Sequence, residues 1–504
     1  MADSAVLVSE LEERREAEAE IAAAIEGEPI AEPLASGDDK PFSSLVPAII
    51  GAANLMMTLS ATVIANALPA MSHSFHVDPI QLNTTITVYL LALAVFLPVS
   101  GWAADRFGAK RVFLVAIVFY AASCAACGFA TNLTELLMAR FCEGAAGALV
   151  GPVGRLVLLR STPKHDLVRA MSVLTMPSLL GPVVGPPIGG FIVTYFAWQW
   201  IFFLNIPIAA LGVFLVSKYI VDIKEEEAAP LDWVGMILTG VGMAAVVFGF
   251  ESLGKAGLPI WEVPGLLGGG LAFLLVYAAY ARRVPHAILD LKLFKIPTFF
   301  ASIVGGTFMR MGVGATPFLL ALLLQVAFGL SALQAGLMTF ASAAAALVMK
   351  TAAPPILDRF GFRKTLSVNA VVVGVSFMAY AVLSPGTPHW VIYVILLTGG
   401  FFRSLQFTAL NGLSYADIEQ PQMSRASTMS TMGQRLAQSI GIGFAATLLR
   451  LFQSHAPGHH LSAGDIAPAF WIIGGVALIS GLFFVAMPAD AGASLQGRPA
   501  KARR

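Results

Sequence analysis

Charge is what this chain has least of. Charged residues make up 12% of its 504 residues and apolar residues 57%, and the mean hydropathy is +0.77. A water-soluble domain carries roughly a quarter charged residues, so the main solvent of this chain is lipid. Cysteine is scarce as well. Cys124, Cys127 and Cys142 all fall inside apolar runs, which excludes a disulfide framework. Cys124 and Cys127 have redox or metal spacing but no second such pair and no histidine nearby, so they read as small packing residues. There is no GxxxxGK[ST] phosphate loop, no Ser/His/Asp grouping and no metal-ligand spacing. An ATP-driven pump and a membrane-bound enzyme are therefore not expected, and neither is a cofactor or a bound metal. All loops are short, unlike those of a signalling receptor. A net charge of +1 gives no reason to expect nucleic acid as a partner.

The first 40 residues have no apolar stretch of the kind found in a secretory leader, and they carry the charged run Glu10-Leu-Glu12-Glu13-Arg14-Arg15-Glu16. They read as a solvated cytoplasmic tail. His73, His76, His455, His459 and His460 fall in hydrophilic breaks expected on the outside. The His459-His460 pair has no further ligands and reads as solvated loop.

What the chain does have is apolar runs of bilayer length. They lie near 45–65, 80–102, 112–131, 134–158, 168–194 and 200–220, then 232–252 and 263–281, then 299–325, 332–352, 366–384, 390–413, 428–450 and 468–487. That makes about fourteen spans. An even number puts both termini on one side. Basic residues from Arg106 to Arg425 collect in alternate breaks, while the other breaks hold Lys255, with Arg450 at the end of a run. That asymmetry places both termini in the cytoplasm.

The tetrapeptide DRFG occurs twice, at Asp105-Arg106-Phe107-Gly108 and Asp358-Arg359-Phe360-Gly361, and basic pairs (Lys110-Arg111, Arg363-Lys364) follow both. Two copies in two membrane breaks indicate an internal duplication, and duplicated membrane chains are commonly transporters with a site between the halves. The copies are 253 residues apart with eight runs between them. Six-helix repeats span about 180–200 residues at roughly 30 residues per helix and loop, so two runs are surplus. The expected organisation is an N-terminal tail (1–44), a six-helix bundle (45–220), two inserted helices in the middle of the chain (221–290), a second six-helix bundle (291–487) and a cytoplasmic tail (488–504). The repeated turns read as conformational latches built from Asp105, Arg106, Gly108, Arg111, Asp358, Arg359 and Gly361. Asp caps a helix end, the basic groups pair with it or with lipid phosphate, and Gly permits the tight turn. A plainer reading is charge that sets topology.

The fifth run contains Gly181-Pro182-Val-Val-Gly185-Pro186-Pro187-Ile-Gly189-Gly190. In water such a density of Gly and Pro would end a helix, whereas in a membrane the segment can persist with a smooth, close-packing face. It reads as an element that seals and bends a central pathway.

At these residues the chain resembles the major facilitator superfamily, and within it the fourteen-helix drug:proton antiporters. Gly101–Arg111 is similar to the superfamily's loop between its second and third helices. Gly181–Gly190 is similar to the antiporter signature, Arg140-Phe-Cys-Glu143-Gly144-Ala-Ala-Gly147 to the fourth-helix signature, and Trp198–Pro207 to the opening of the sixth. Ser60-Ala-Thr62-Val-Ile-Ala-Asn66-Ala-Leu-Pro69 is similar to the first-helix signature. The resemblance covers roughly residues 45–487. It implies an all-α integral membrane protein of the major facilitator fold, with two six-helix bundles and two extra central helices wedged between them.

Two departures stand out. Ser60 replaces the acid usual in the first signature, and Glu143 replaces the usual Gln in the fourth. Together they suggest that the membrane-embedded carboxylate has moved. Glu143 and Arg140 are three apart, hence on one helical face. Burial raises a carboxyl pKa and a guanidinium lowers it, a balance that substrate or helix movement can tip to load or release a proton. The alternative is a static buried ion pair. Arg310 and Arg403 are charges in mid-run without an acid within one turn, so each must face the bundle interior. With Ser60, Asn66 and Gln406 they are the candidates for a substrate cavity. Gln406, Asn411, Gln434 and Gln438 also suit interhelical hydrogen bonds.

The expected function is proton-driven efflux of hydrophobic or amphipathic small molecules by alternating access, in the cell (plasma or inner) membrane, as a monomer. Its partners are a lipophilic substrate, protons and membrane lipid. A facilitator or symporter of a small metabolite is the alternative on the same fold.

Overall fold

The structure is a computed structural model. It describes residues 44–162, 167–220, 231–253, 259, 261–284, 289–419, 422–453, 461–488 and 491–492, without the side chains of residues 159–161, 167–169, 171, 172, 175, 179 and 424. The tails expected at 1–44 and 488–504 fall almost wholly outside the described residues, as do Lys164, Lys224, Lys255, His455, His459 and His460.

Every regular element among the described residues is helical. In chain order they are α1 (Leu45–Phe75), α2 (Asn83–Phe96), α3 (Val99–Phe107), α4 (Ala109–Phe129), α5 (Leu133–Ser161), α6 (Leu167–Tyr195) and α7 (Trp200–Tyr219). They continue with α8 (Trp233–Ser252), α9 (Glu262–Ala281), α10 (Pro297–Ala327), α11 (Ala332–Phe360), α12 (Phe362–Ala379), α13 (His389–Leu413), α14 (Met423–Phe452) and α15 (Ala463–Val485). Eleven of these are long and apolar enough to cross a membrane, twelve with the bent pair α2/α3. The fourteen runs read from the sequence are thus not all recovered by length and apolarity among the described residues. The two remaining rods, α6 and α14, are 29 and 30 residues long. Ser427, Thr428, Ser430, Thr431, Gln434 and Arg435 make α14 less apolar than its neighbours.

Local chemistry explains the interruptions. Pro98 separates α2 from α3 at an angle of 53°, because proline cannot donate to the helical ladder and its ring crowds the preceding turn. Asn132, Ser331 and Ser462 accept from backbone N–H groups three residues on and so cap α5, α11 and α15. In the two repeated turns a single residue joins consecutive helices. Gly108 (φ 92°) joins α3 to α4 and Gly361 (φ 77°) joins α11 to α12, a backbone region open to glycine and costly for side chains. Eight rods, α4 to α11, separate the two turns, so both lie on one face of the molecule.

The helices from α1 to α7 pack on one another, and so do those from α10 to α15. The two bundles meet along two seams, α6 against α11 and α2 against α14. The inserted pair is not wedged in the centre as expected. It sits at the periphery, where α8 covers the α2–α14 seam through Met243 and Val247 against Leu91, Leu97 and Met432. Behind it, α9 packs mainly on α8. Apolar on all sides, with only Gly270 and Tyr277 buried, α9 presents most of its surface outward, as a lipid-facing helix does.

At the face away from the turns both seams are tied. On one flank the Leu333 N–H donates to Thr194 Oγ1 (3.1 Å) and Gln325 Nε2 to the Asn66 carbonyl (3.2 Å). On the other, Thr84 of α2 bonds to the carboxylate of Glu251 in α8, while Thr447 and Arg450 of α14 donate to the Phe250 and Glu251 carbonyls at 2.8 and 2.6 Å.

Candidate functional site

A cavity of about 380 Å³ opens between the bundles. Its wall is drawn from α1, α6, α10, α11, α13 and α14, and includes Thr62, Asn66, Pro182, Pro186, Ser342 and Arg403. At the end away from the turns it is closed by direct backbone approach. A Cβ on Gly190 would collide with Ala332 and Leu333, and one on Gly336 with the Pro186 carbonyl. At its other end the lining reaches Lys350, which is exposed. The cavity is therefore sealed on one side and accessible from the side of the turns.

The Gly-Pro segment makes this possible. With Pro177, Pro182, Pro186 and Pro187 inside it, α6 remains one helix. Gly181, Gly185 and Gly189 recur every fourth residue and let α1 lie against α6, since side chains there would strike Thr58, Thr62 and Val63. Asn66 Nδ2 donates to the Pro186 carbonyl at 2.8 Å and fixes the same contact. Pro182 and Pro186 turn toward the cavity.

The Arg140–Glu143 pair lies on the opposite side of α1. Both side chains are completely buried, with Arg140 Nη1 2.6 Å from Glu143 Oε2. Ser60 Oγ donates to Glu143 Oε1 at 2.6 Å and Cys127 Sγ approaches Oε2 at 3.5 Å. Arg140 Nε donates to the Thr85 carbonyl (3.2 Å), and the guanidinium stands 4.3 Å from the centre of the Tyr89 ring. Glu143 thus has both oxygens engaged, by α1 on one side and by α5 and α4 on the other. Loss of its charge would leave Arg140 with the Thr85 carbonyl and the Tyr89 face. Such a pair is costly to break by removing one partner. Adjacent residues on α1 face two ways, Ser60 toward this pair and Ala61 and Thr62 toward the cavity.

The other residues singled out from the sequence are distributed as follows. Asn66 and Arg403 line the cavity, whereas Ser60, Arg310 and Gln406 are outside its lining. Arg310 Nη1 donates to the Ser302 carbonyl (2.8 Å) in the π-helical turn Ala301–Gly305, where the ordinary ladder is interrupted. Gln406 joins α13 to α12, accepting from Asn369 (2.8 Å) and donating to the Leu366 carbonyl (3.2 Å). Gln434 likewise donates to Asn411 (3.0 Å) between α14 and α13, and Gln438 reaches the cavity wall.

In the repeated turns, Lys110 Nζ donates to the Ser217 carbonyl at 2.9 Å and Arg363 Nη2 to the Val485 carbonyl at 2.8 Å. Each is two residues after its turn glycine, and each reaches the last turn or end of the last helix of its own bundle, α7 or α15. Asp105, Arg111 and Asp358 make contacts of their own.

Three charged residues were passed over in the sequence. Lys350 lines the cavity, Glu251 is fully buried in α8, and Arg435 of α14 lies close to Tyr89 of α2. Lys350 and Arg435 stand inside apolar runs with no acid within one turn in sequence, whereas Glu251 closes its run four residues before Lys255. A lone cation in an apolar run is the signal that marks Arg310 and Arg403, and it applies to Lys350 and Arg435 as well. Among the described residues no group of three or more His, Cys, Asp or Glu is placed to hold a metal.

The chain matches the family model described as "Major Facilitator Superfamily" over residues 50–442 and 298–503. It is 33% identical over 397 residues to the "Putative multidrug resistance protein MdtD" of Pectobacterium atrosepticum, covering 79% of this chain and 85% of that protein. To the "Probable transport protein HsrA" of Haemophilus influenzae it is 33% identical over 432 residues, 86% and 92% of the two chains. In fold it is similar to a D-xylose-proton symporter (TM-score 0.63, 14% identity, 89% of this chain and 98% of that one). A peptide transporter in complex with sulfate is similar too (TM-score 0.65, 15% identity, 90% and 95%).

Proposed function

The chain belongs to the major facilitator superfamily and is a multi-pass membrane transporter of small molecules, and from that premise we propose that it exports hydrophobic or amphipathic compounds by alternating access in exchange for protons. One observation carries this reading: a mostly apolar cavity between two bundles, closed on one face by backbone contact and reachable from the other. A chamber of that kind holds lipophilic ligands by shape with few hydrogen bonds, and rocking the bundles would present it to the opposite face. The multidrug name of the MdtD relatives supports drug-like cargo.

Glu143 is the proton carrier in this reading. Protonation removes its charge from Arg140 and changes the demand on Ser60, and α1, whose other face lines the cavity, passes the change to the substrate. The turn face is cytoplasmic, because the basic residues of the two turns lie there. Both termini then share that side, the membrane is the plasma or inner membrane, and the protein works as a monomer. The turns act as latches between the two orientations.

The test is transport of a lipophilic dye by the full-length protein in proteoliposomes with an imposed pH gradient. Movement of dye against proton flow, abolished by a protonophore, is expected. Movement indifferent to the gradient would replace antiport with facilitated diffusion.

A further inference from the structure

The charges in the cavity wall are of one sign. Arg403 and Lys350 line it, and no carboxylate does among the described residues. Neither cation has an ion-pair partner there. Arg403 Nη2 donates to Ser342 Oγ at 2.8 Å. Its buried Nη1 has beside it the Tyr380 hydroxyl, a neutral group that brings no negative charge.

Their positions form a sequence in depth. Ser342, bonded to Arg403, and Ala346, whose carbonyl accepts from Ser404 at 2.7 Å, are one turn apart on the face of α11 that meets α13. Lys350 is the next residue of that stripe, roughly 12 Å along the axis from Ser342 and nearer the turns. The exposed ammonium therefore stands toward the mouth and the guanidinium deeper, with apolar wall between and around them.

A cation held out of water without a counter-ion is costly, and a ligand that brings the missing charge recovers that cost. A lipophilic cation entering the same wall meets repulsion and no acid to offset it. Building on the efflux reading above, we infer that the preferred cargo is an amphipathic anion, an aryl or alkyl group bearing a carboxylate or sulfonate. Lys350 meets its headgroup at the mouth and Arg403 holds it in the deep position, while the apolar part lies against α1 and α6. Arg403 is thus the residue that determines charge selectivity.

The experiment uses full-length protein in proteoliposomes and three probes: the anion 1-anilinonaphthalene-8-sulfonate, the neutral N-phenyl-1-naphthylamine of nearly the same shape, and the cation tetraphenylphosphonium. The sulfonate should be carried faster than the phosphonium. Arg403→Gln should lower the ratio of sulfonate to neutral transport about tenfold, and Lys350→Gln about two- to threefold, since a charge-assisted contact is stronger when buried. Arg403→Lys should recover most of the ratio. Taking the ratio within one preparation removes any loss of folded protein. Preference for the phosphonium, an unchanged ratio in Arg403→Gln, or an Arg403→Lys value as low as Gln would each overturn the inference while leaving efflux standing. Movement of none of the three would overturn the efflux reading itself, and this inference with it.

Discussion

The two bundles share a frame and differ in what they bury. Each has a one-residue glycine turn of positive φ, and each has a basic residue two positions later that reaches the end of its bundle's last helix. Inside, the first bundle holds a carboxylate bonded to an arginine and a serine, all buried. The second holds Arg310, Arg403 and, at its cavity wall, Lys350, with no carboxylate paired to any of them among the described residues. Duplication kept the parts that make a bundle and let the interior diverge. A half with a matched pair is suited to gaining and losing a proton. A half with unmatched cations is suited to receiving a ligand.

The largest effect that could break this contrast is at Glu143. Glu143→Leu leaves Arg140 buried without its counter-ion, and a loss of about 3–5 kcal/mol is expected. Arg310→Leu in the other half strands only the Ser302 carbonyl and should cost about 1–3 kcal/mol. Apparent unfolding temperatures in detergent decide it, and equal losses would erase the distinction. The milder Glu143→Gln keeps an acceptor for Ser60 and should fold, yet lose transport driven by a pH gradient. Retention of that transport would leave the pair a structural pin.

A smaller effect sharpens the seam between the halves. Gly190→Val places a branched side chain against Ala332 and Leu333, and overpacking of about 1–3 kcal/mol would move the population roughly ten- to a hundredfold away from the sealed arrangement. In a variant with the native cysteines replaced and Lys350→Cys introduced, labelling by a thiol reagent should slow. Gly181→Val, directed into α1 within one bundle, should destabilise without that change in labelling.

The smallest effect concerns the shared frame. Lys110→Gln and Arg363→Gln each remove one contact with a carbonyl at a helix end, worth about 0.3–1 kcal/mol. The two variants should lose the same small amount in unfolding temperature, about 1 °C or less. A clear inequality would show that the turns are not equivalent.

Much of the frame was legible because it is local. A repeated tetrapeptide, apolar runs and glycines every fourth residue are visible one segment at a time, and so is Arg140 beside Glu143. Which way a helix is turned is not local. Ser60 and Asn66 are on the same helix, but Ser60 faces Glu143 and Asn66 the cavity, a difference fixed by neighbours 83 and 120 residues away. Lys350 carries the same local signal as Arg310 and Arg403, a lone cation in an apolar run, but its place in the cavity wall together with Arg403 of α13 is not local. The inserted pair was placed by counting, which gives position in the chain and not in space. Its peripheral seat follows from the all-round apolarity of α9.

Where α8 attaches has a kinetic meaning. Thr84, Glu251, Thr447 and Arg450 tie α2, α8 and α14 at the closed face, far from any cargo. Opening that face must part these bonds before anything can leave, so part of the barrier to release is set by contacts of Thr84, Glu251, Thr447 and Arg450, none of which lines the cavity. Turnover can then be tuned there, residue by residue, while the spectrum of compounds carried is left to the wall around Arg403.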